Sequence, residues 1–213
     1  MFAILALSGA LGGCTMAELA TPDSGSCSDG IQSNQWPKFE GNGGEAPIYT
    51  EGEIGWGEGL VPPDFELVDQ FGESICLWQM VGKHVVLDAS ALWCEPCKAI
   101  AETQACTQEE LGDDVVFLTF ITEDTDSQPA EQVHAEQWAQ AFGLDQGTQT
   151  PVVADGGKIV TSGFTGRTLP SLVLLDPDLR WVVAGQDANA ELPILNELER
   201  VTGNNAAECH AEE

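Results

Sequence analysis

Ala91-Leu92-Trp93-Cys94-Glu95-Pro96-Cys97-Lys98 is the stretch on which the fold turns. An apolar run, Val85-Val86-Leu87-Asp88-Ala89-Ser90, leads into it, and a stretch with helical character from Glu95 to about Leu111 leads out. Two cysteines separated by two residues at the start of a helix can close a small disulfide and reopen it. Unpaired backbone N–H groups and the positive dipole end at that position favour a thiolate over a thiol. This predicts a lowered pKa for Cys94 and a nucleophile near neutral pH. Cys97, one turn further in, is placed to attack the mixed disulfide that Cys94 forms. Pro96 falls in the first turn, where its missing N–H costs little. The alternative for the same two cysteines is half of a structural zinc site, completed by Cys106, Cys209 or His210. Zinc sites usually carry a second closely spaced pair, and adjacent Cys209-His210 has no spacer, so no metal ligands are assigned.

Upstream, Phe65-Glu66-Leu67-Val68-Asp69 alternates, Gln70-Phe71-Gly72-Glu73 turns and Ser74-Ile75-Cys76-Leu77-Trp78 extends again, which predicts a β-hairpin. Downstream, Val115 to Ile121 is a continuous apolar run suited to a central parallel strand covered on both faces. Glu123-Asp124-Thr125-Asp126-Ser127 is an acidic turn without the central Gly and closing Glu of a calcium loop. Ala130 to Phe142 predicts a helix, Thr150 to Asp155 a short strand, and Lys158 to Phe164 is ambiguous. Gly156-Gly157 has no phosphate-loop context. Pro170 opens an apolar strand, Ser171 to Leu175, where no ladder bond is lost. Leu179 to Ala184 predicts an antiparallel return, and Ala190 to Val201 carries Leu192, Leu195, Leu198 and Val201 at helical spacing.

Trp-Cys-X-X-Cys-Lys after a strand resembles the active-site signature of the thioredoxin superfamily. The Glu-Pro dipeptide between the cysteines is similar to the membrane-anchored, reducing branch typified by ResA and TlpA, within the redoxin (AhpC/TSA) group. The resemblance runs from about Pro63 to Gly203. It implies an α/β thioredoxin fold with a central mixed β-sheet flanked by helices and an N-terminal β-hairpin extension. It implies that Pro170 is cis and faces the two cysteines, and that the backbone of Leu169 pairs with an incoming substrate strand. Trp93, Leu169 and Pro170 are accordingly the expected substrate-binding residues, and Cys94 with Cys97 the redox disulfide. Asp88, in an apolar strand six residues before Cys94, should be buried with a raised pKa. The resemblance gives it the task of taking the proton from Cys97, against the alternative of a strand-end Asp bonded to backbone donors. Gly185 matches a small residue that lets substrate approach, or marks a plain turn. The electrons reside on the sulfurs, and no cofactor is expected.

Composition narrows the function further. The 213 residues carry 35 acidic against 7 basic side chains, a net charge of −28, which makes a nucleic-acid partner improbable. Seven cysteines suggest an oxidising compartment. Met1 to Leu11 is a short apolar run followed by Leu11-Gly12-Gly13-Cys14, which resembles a bacterial lipoprotein signal with Cys14 as the lipidated residue, although no Lys or Arg precedes the run. The alternatives are an ordinary cleaved signal or a disordered tail. The expected organisation is a signal over 1–14, a flexible spacer over 15–61, a thioredoxin-like domain over 62–203 and an acidic tail over 204–213. Trp36, Phe39, Ile48, Tyr49 and Trp56 interrupt the spacer and suggest that part of it docks onto the domain.

Cys27, Cys76, Cys106 and Cys209 remain, an even number allowing three pairings. Cys27 with Cys209 and Cys76 with Cys106 is the expected structural arrangement; an additional electron-relay pair is the alternative. The functional expectation is a thiol–disulfide oxidoreductase acting on envelope proteins and recharged by a membrane electron donor. Glu95 beside Cys94 should disfavour its thiolate and make the pair more reducing. Two other classes remain: a redoxin-type thiol peroxidase, for which Ala91 stands where a Thr-X-X-Cys loop needs threonine, and a non-enzymatic binding lipoprotein.

Overall fold

The computed structural model describes residues 36, 49–146, 149–166 and 168–210. The lipidation and signal expectations at residues 1–14, Cys14 included, and the expectation for Cys27 fall outside the described residues.

The chain enters the domain through a short hairpin, β1 (Glu66–Val68) and β2 (Ser74–Cys76), paired antiparallel with Leu67 opposite Ile75. The Asp69 side chain organises its turn, accepting from the backbone N–H of Phe71 and of Glu73 at 2.9 Å each, and accepting at 2.6 Å from the Trp36 indole N–H. A 3-10 turn over Trp78–Met80 leads into β3 (His84–Ser90). There follow α1 (Glu95–Leu111), β4 (Val115–Ile121), α2 (Gln132–Phe142), β5 (Val152–Ala154), β6 (Ser171–Leu175), β7 (Trp181–Gln186) and α3 (Glu191–Thr202). Among the described residues five strands form one sheet in the order β5-β4-β3-β6-β7. β3 runs parallel to β4 and β4 to β5, whereas β6 is antiparallel to both β3 and β7. The expected mixed sheet is therefore present.

Alternation along the central strands divides the core. Val85, Leu87 and Ala89 of β3, with Val116, Leu118 and Phe120 of β4, face the hairpin side, where Ile75, Leu77, Met80 and Trp36 join them. Residues 49–61 pack on this side too: Val61 is fully buried, Trp56 stacks on Phe164 at 5.7 Å, and Tyr49 meets Trp78 edge-on at 5.1 Å. The opposite face of the sheet, with Val86, Phe117, Leu172 and Leu174, is covered by Ile100 and Leu111 of α1 and by Ile194 and Leu198 of α3. α2 seals the β5 edge with Ala135, Trp138 and Ala139, and its start is capped where the Glu131 N–H donates to His134 Nδ1 at 2.9 Å.

The second disulfide departs from expectation. Cys106 on α1 bonds to Cys209, not to Cys76, and so Cys209 does not pair with Cys27. Residues 207–210 fold into a 3-10 turn that docks on α1, with the Thr107 hydroxyl 3.2 Å from His210 Nε2. Cys76 is also in a disulfide. The physical reason for the different pairing is that the C-terminal segment returns to α1 after α3, a long-range contact of which the sequence carries no sign.

Candidate active site

Local sequence explains how the cysteines are presented. β3 ends at Ser90, and Ala91 accepts from the Cys94 N–H at 3.0 Å, closing a turn into α1. Cys94 is the N-cap of α1, with extended backbone angles, Glu95 in the first turn and Pro96 where no N–H is needed. The two sulfurs are bonded, with the Cα atoms 5.3 Å apart. Cys94 Sγ also accepts from the Cys97 N–H at 3.3 Å, so one of the orphan donors of the helix points at the sulfur. In a reduced chain the same donor and the helix dipole would stabilise a Cys94 thiolate. Every sulfur of the zinc alternative is in a disulfide here, Cys94 with Cys97 and Cys106 with Cys209.

The cysteines are more covered than an exposed helix tip suggests: Cys94 is 2% exposed and Cys97 fully buried. They belong to a cluster with Ala91, Ala101, Ile121 and Trp138, and Leu92 and Leu169 pack against it. The Leu169–Pro170 bond is cis, as the resemblance implies. The described chain thus brings Leu169, more than seventy positions downstream, to the cysteine cluster. Trp93 forms an exposed shoulder beside Cys94, 44% exposed.

Asp88 lies on the α1 side of the sheet, beside Thr119 of β4 and Leu172 of β6 in the strand register. It is 1% exposed and accepts from the Ser90 hydroxyl at 3.0 Å and from the Thr119 hydroxyl at 3.4 Å. Burial pushes its carboxyl up to about 7, against the pull of those two hydroxyls. Its partners are side chains, not the backbone donors of the bland alternative. Gln104, on the inner face of α1, donates to Thr119 at 3.0 Å and so ties the helix to this polar patch.

Three neighbours of the site were not legible. Glu123, assigned to an acidic turn, accepts from the Trp93 indole N–H at 2.8 Å and pairs with Lys158 at 2.7 Å. Lys158 and then Trp93 hold its carboxyl below the ordinary range. Glu191 begins α3, and burial followed by the Asp88 charge pushes it up to about 7. Gly185, expected to admit substrate or mark a plain turn, is not in a turn: it sits in β7, and a Cβ there would lie 1.9 Å from the Ala190 carbonyl oxygen, so the missing side chain makes room for the start of α3. Lys98 pairs with Glu95 at 2.6 Å, placing a cation beside the acidic residue between the cysteines.

Residues 59–182 match the AhpC/TSA family. The chain belongs to that family. This AhpC/TSA chain is 29% identical over 130 residues to the thioredoxin-like protein YneN of Bacillus subtilis, across 60% of its own length and 71% of the relative's. It is 26% identical over 121 residues to the thiol-disulfide oxidoreductase ResA of Bacillus subtilis, across 57% of its length and 63% of that protein's. The crystal structure of the exposed lipoprotein thioredoxin of Streptococcus pneumoniae aligns with a TM-score of 0.51 at 28% identity, covering 63% of this chain and 99% of that one. A DsbF homologue from Corynebacterium diphtheriae shares the fold at 19% identity, with a TM-score of 0.54 over 78% of this chain and 99% of its own. Within the AhpC/TSA family the chain is a thioredoxin-like thiol–disulfide oxidoreductase of the TlpA/ResA type. No helix among the described residues is long and apolar enough to cross a membrane.

Proposed function

We propose that this chain reduces disulfides of proteins in the bacterial cell envelope, held to a membrane through lipid on Cys14 and recharged by a membrane dithiol donor. In the reduced state the Cys94 thiolate attacks one sulfur of a partner disulfide. A mixed disulfide forms and the partner's other sulfur leaves as a thiolate that takes a proton from solvent. Asp88 removes the Cys97 proton, directly or through water, and the Cys97 thiolate attacks Cys94 Sγ. The bond to the partner breaks, its second sulfur leaves as a thiolate that also takes a proton from solvent, the partner departs as a dithiol, and the Cys94–Cys97 disulfide remains. Leu169 and Pro170 would align the partner's backbone, and Trp93 would form the apolar wall beside the exchanging sulfurs. The carrying observation is the Cys94–Cys97 disulfide at the N-terminus of α1 with Leu169 packed against it.

The AhpC/TSA match keeps a peroxidase as the second reading. Insulin reduction and hydrogen peroxide consumption, each with wild type and Cys94→Ser, separate the readings. Insulin reduction that the substitution abolishes is the expected result. Equal insulin rates would leave only a binding role, and peroxide turnover without insulin reduction would make the chain a peroxidase. Cys97→Ala should hold the partner as a mixed disulfide on Cys94 and allow it to be identified.

A further inference from the structure

Proton traffic at Asp88 poses a geometric problem. The carboxyl is buried, yet each resolution step loads it with a proton, which either returns to Cys97 when the pair is recharged or leaves for solvent. The elements around it supply few candidates. β4 offers the Thr119 hydroxyl, β3 the Ser90 hydroxyl, and β6 the apolar Leu172. α1 brings the cysteine pair and the neutral Gln104. α3 brings Glu191.

The fold carries Glu191 to this place by a specific route. Gly185 of β7 lies opposite Leu172 in the ladder, in the same cross-strand row as Asp88 and Thr119. Only a glycine there lets the Ala190 carbonyl approach, and Glu191 follows directly as the first residue of α3. The Asp187 N–H donates to the Pro170 carbonyl at 3.1 Å, tying the same junction to the cis-proline segment. One carboxylate oxygen of Glu191, Oε1, is buried without a hydrogen-bond partner. That oxygen is free to accept from a protonated carboxyl or from water. The residue as a whole is only part-buried. Burial first and the Asp88 charge second raise its carboxyl.

We propose that Glu191 is the second carboxylate of a proton-transfer pair with Asp88, taking the proton that Asp88 removes from Cys97 and handing it to solvent. This rests on the oxidoreductase reading. The step balances: Cys97 loses a proton to Asp88, Asp88 passes it to the Glu191 carboxylate directly or through water, and Glu191 releases it. No electrons move in the relay; those of the Cys94–Cys97 dithiol go to the partner disulfide. Glu191 acts through Asp88 and is a positioning residue for the proton.

The test is the rate at which a mixed disulfide between Cys94 and a model peptide is resolved, followed by stopped flow from pH 5 to 9. Full-length wild type, Glu191→Gln, Glu191→Asp, Asp88→Asn and the Asp88→Asn/Glu191→Gln double variant are compared. In Glu191→Gln the plateau rate should fall several-fold because the outlet is gone. Glu191→Asp should recover the wild-type profile, which separates the carboxylate's role from any damage to α3. In the Asp88→Asn background Glu191→Gln should have no further effect. A Glu191→Gln profile superimposable on wild type, or an equal effect in both backgrounds, overturns the proposal. Infrared carboxyl absorption of the resting disulfide form gives an independent readout. A titration step near pH 7 present in wild type should be lost in Glu191→Gln, the step from the buried Asp64, raised to about 6, remaining in both. A Glu191→Gln titration that keeps every wild-type step overturns the pair even where exchange proceeds, whereas a wild type inert toward the peptide disulfide overturns the oxidoreductase reading and the relay with it.

Discussion

Asp88 sits where hydration cannot reach it, and the fold bears the consequence at the pH where the enzyme works. Burial holds its carboxyl up at about 7, whereas in an unfolded chain the same group titrates near ~3.9. The folded state therefore binds this proton more tightly than the unfolded state. The resulting stability is fully present below about pH 4 and is lost as pH rises through about 7. Asp88→Asn, which cannot ionise, should be more stable than wild type at pH 8 by up to roughly 4 kcal/mol and should differ little at pH 4. Urea midpoints at the two pH values measure this; a gain of equal size at both would mean that Asp88 ionises as if exposed. The same substitution should slow resolution by Cys97, so stability and turnover are set against each other at this residue. Such a trade is the expected mark of a group retained for chemistry rather than packing.

At the scale of elements, α1 carries the site and its buried face is unusually polar. Cys97, Gln104, Thr107 and Gln108 all point inward, and Gln108 donates to the Val115 carbonyl while accepting from the Gln149 N–H. Much of the helix's anchorage is therefore specific hydrogen bonding, supplemented by the Cys106–Cys209 disulfide that pins the C-terminal turn to its outer half. That bond spans 103 residues of chain. Loop entropy at such a length gives removal a cost of about 2–5 kcal/mol. Cys209→Ser should lose that much in denaturant unfolding while keeping the insulin-reduction rate of wild type, because Cys106 lies twelve residues along α1 from Cys94 and is bonded to Cys209. A matching loss of activity would assign the second disulfide to electron relay. The strands that build the sheet were legible because each is a continuous apolar run between turn residues, and α1 because the cysteine motif fixes its first turn. The segment from Lys158 to Phe164 was not, because one side chain organises it: Asp155 accepts from the backbone N–H groups of Ile159, Val160 and Thr161. Long-range partners were the other blind spot. A glutamate opening a helix carries no sign that it lies over a buried aspartate, and the acidic turn at Glu123 carries none that it orients Trp93. The Cys94–Cys97 pair was legible from local spacing and the burial of Asp88 from its apolar strand, whereas the cis bond before Pro170 came from the family resemblance.

Across the whole molecule, charge outweighs other surface effects. Every lysine and arginine among the described residues is matched to a carboxylate: Lys83 to Asp114, Lys98 to Glu95, Lys158 to Glu123, Arg180 to Glu53 and Arg200 to Glu197. These are surface pairs, each contributing at most about 1 kcal/mol. They cannot neutralise 35 acidic residues when only 7 basic ones exist, so repulsion among the unpaired carboxylates acts across the compact state. Salt screens attraction and repulsion alike, and the imbalance decides which loss matters more. At roughly 0.01 M ionic strength the charges act over about 30 Å, most of the width of a domain this size; at 1 M they act over about 3 Å. Sodium chloride at 1 M should therefore raise Tm at pH 7 above its low-salt value, by about 2–4 °C for each kcal/mol of repulsion relieved. The rise should shrink toward pH 4, where protonation removes the charge that salt would otherwise screen. Scanning calorimetry across both variables checks this. A Tm that falls with salt at pH 7 would mean that the five ion pairs outweigh the surplus, and that the acidity of this chain is a property of its surface toward partners rather than a load on its fold.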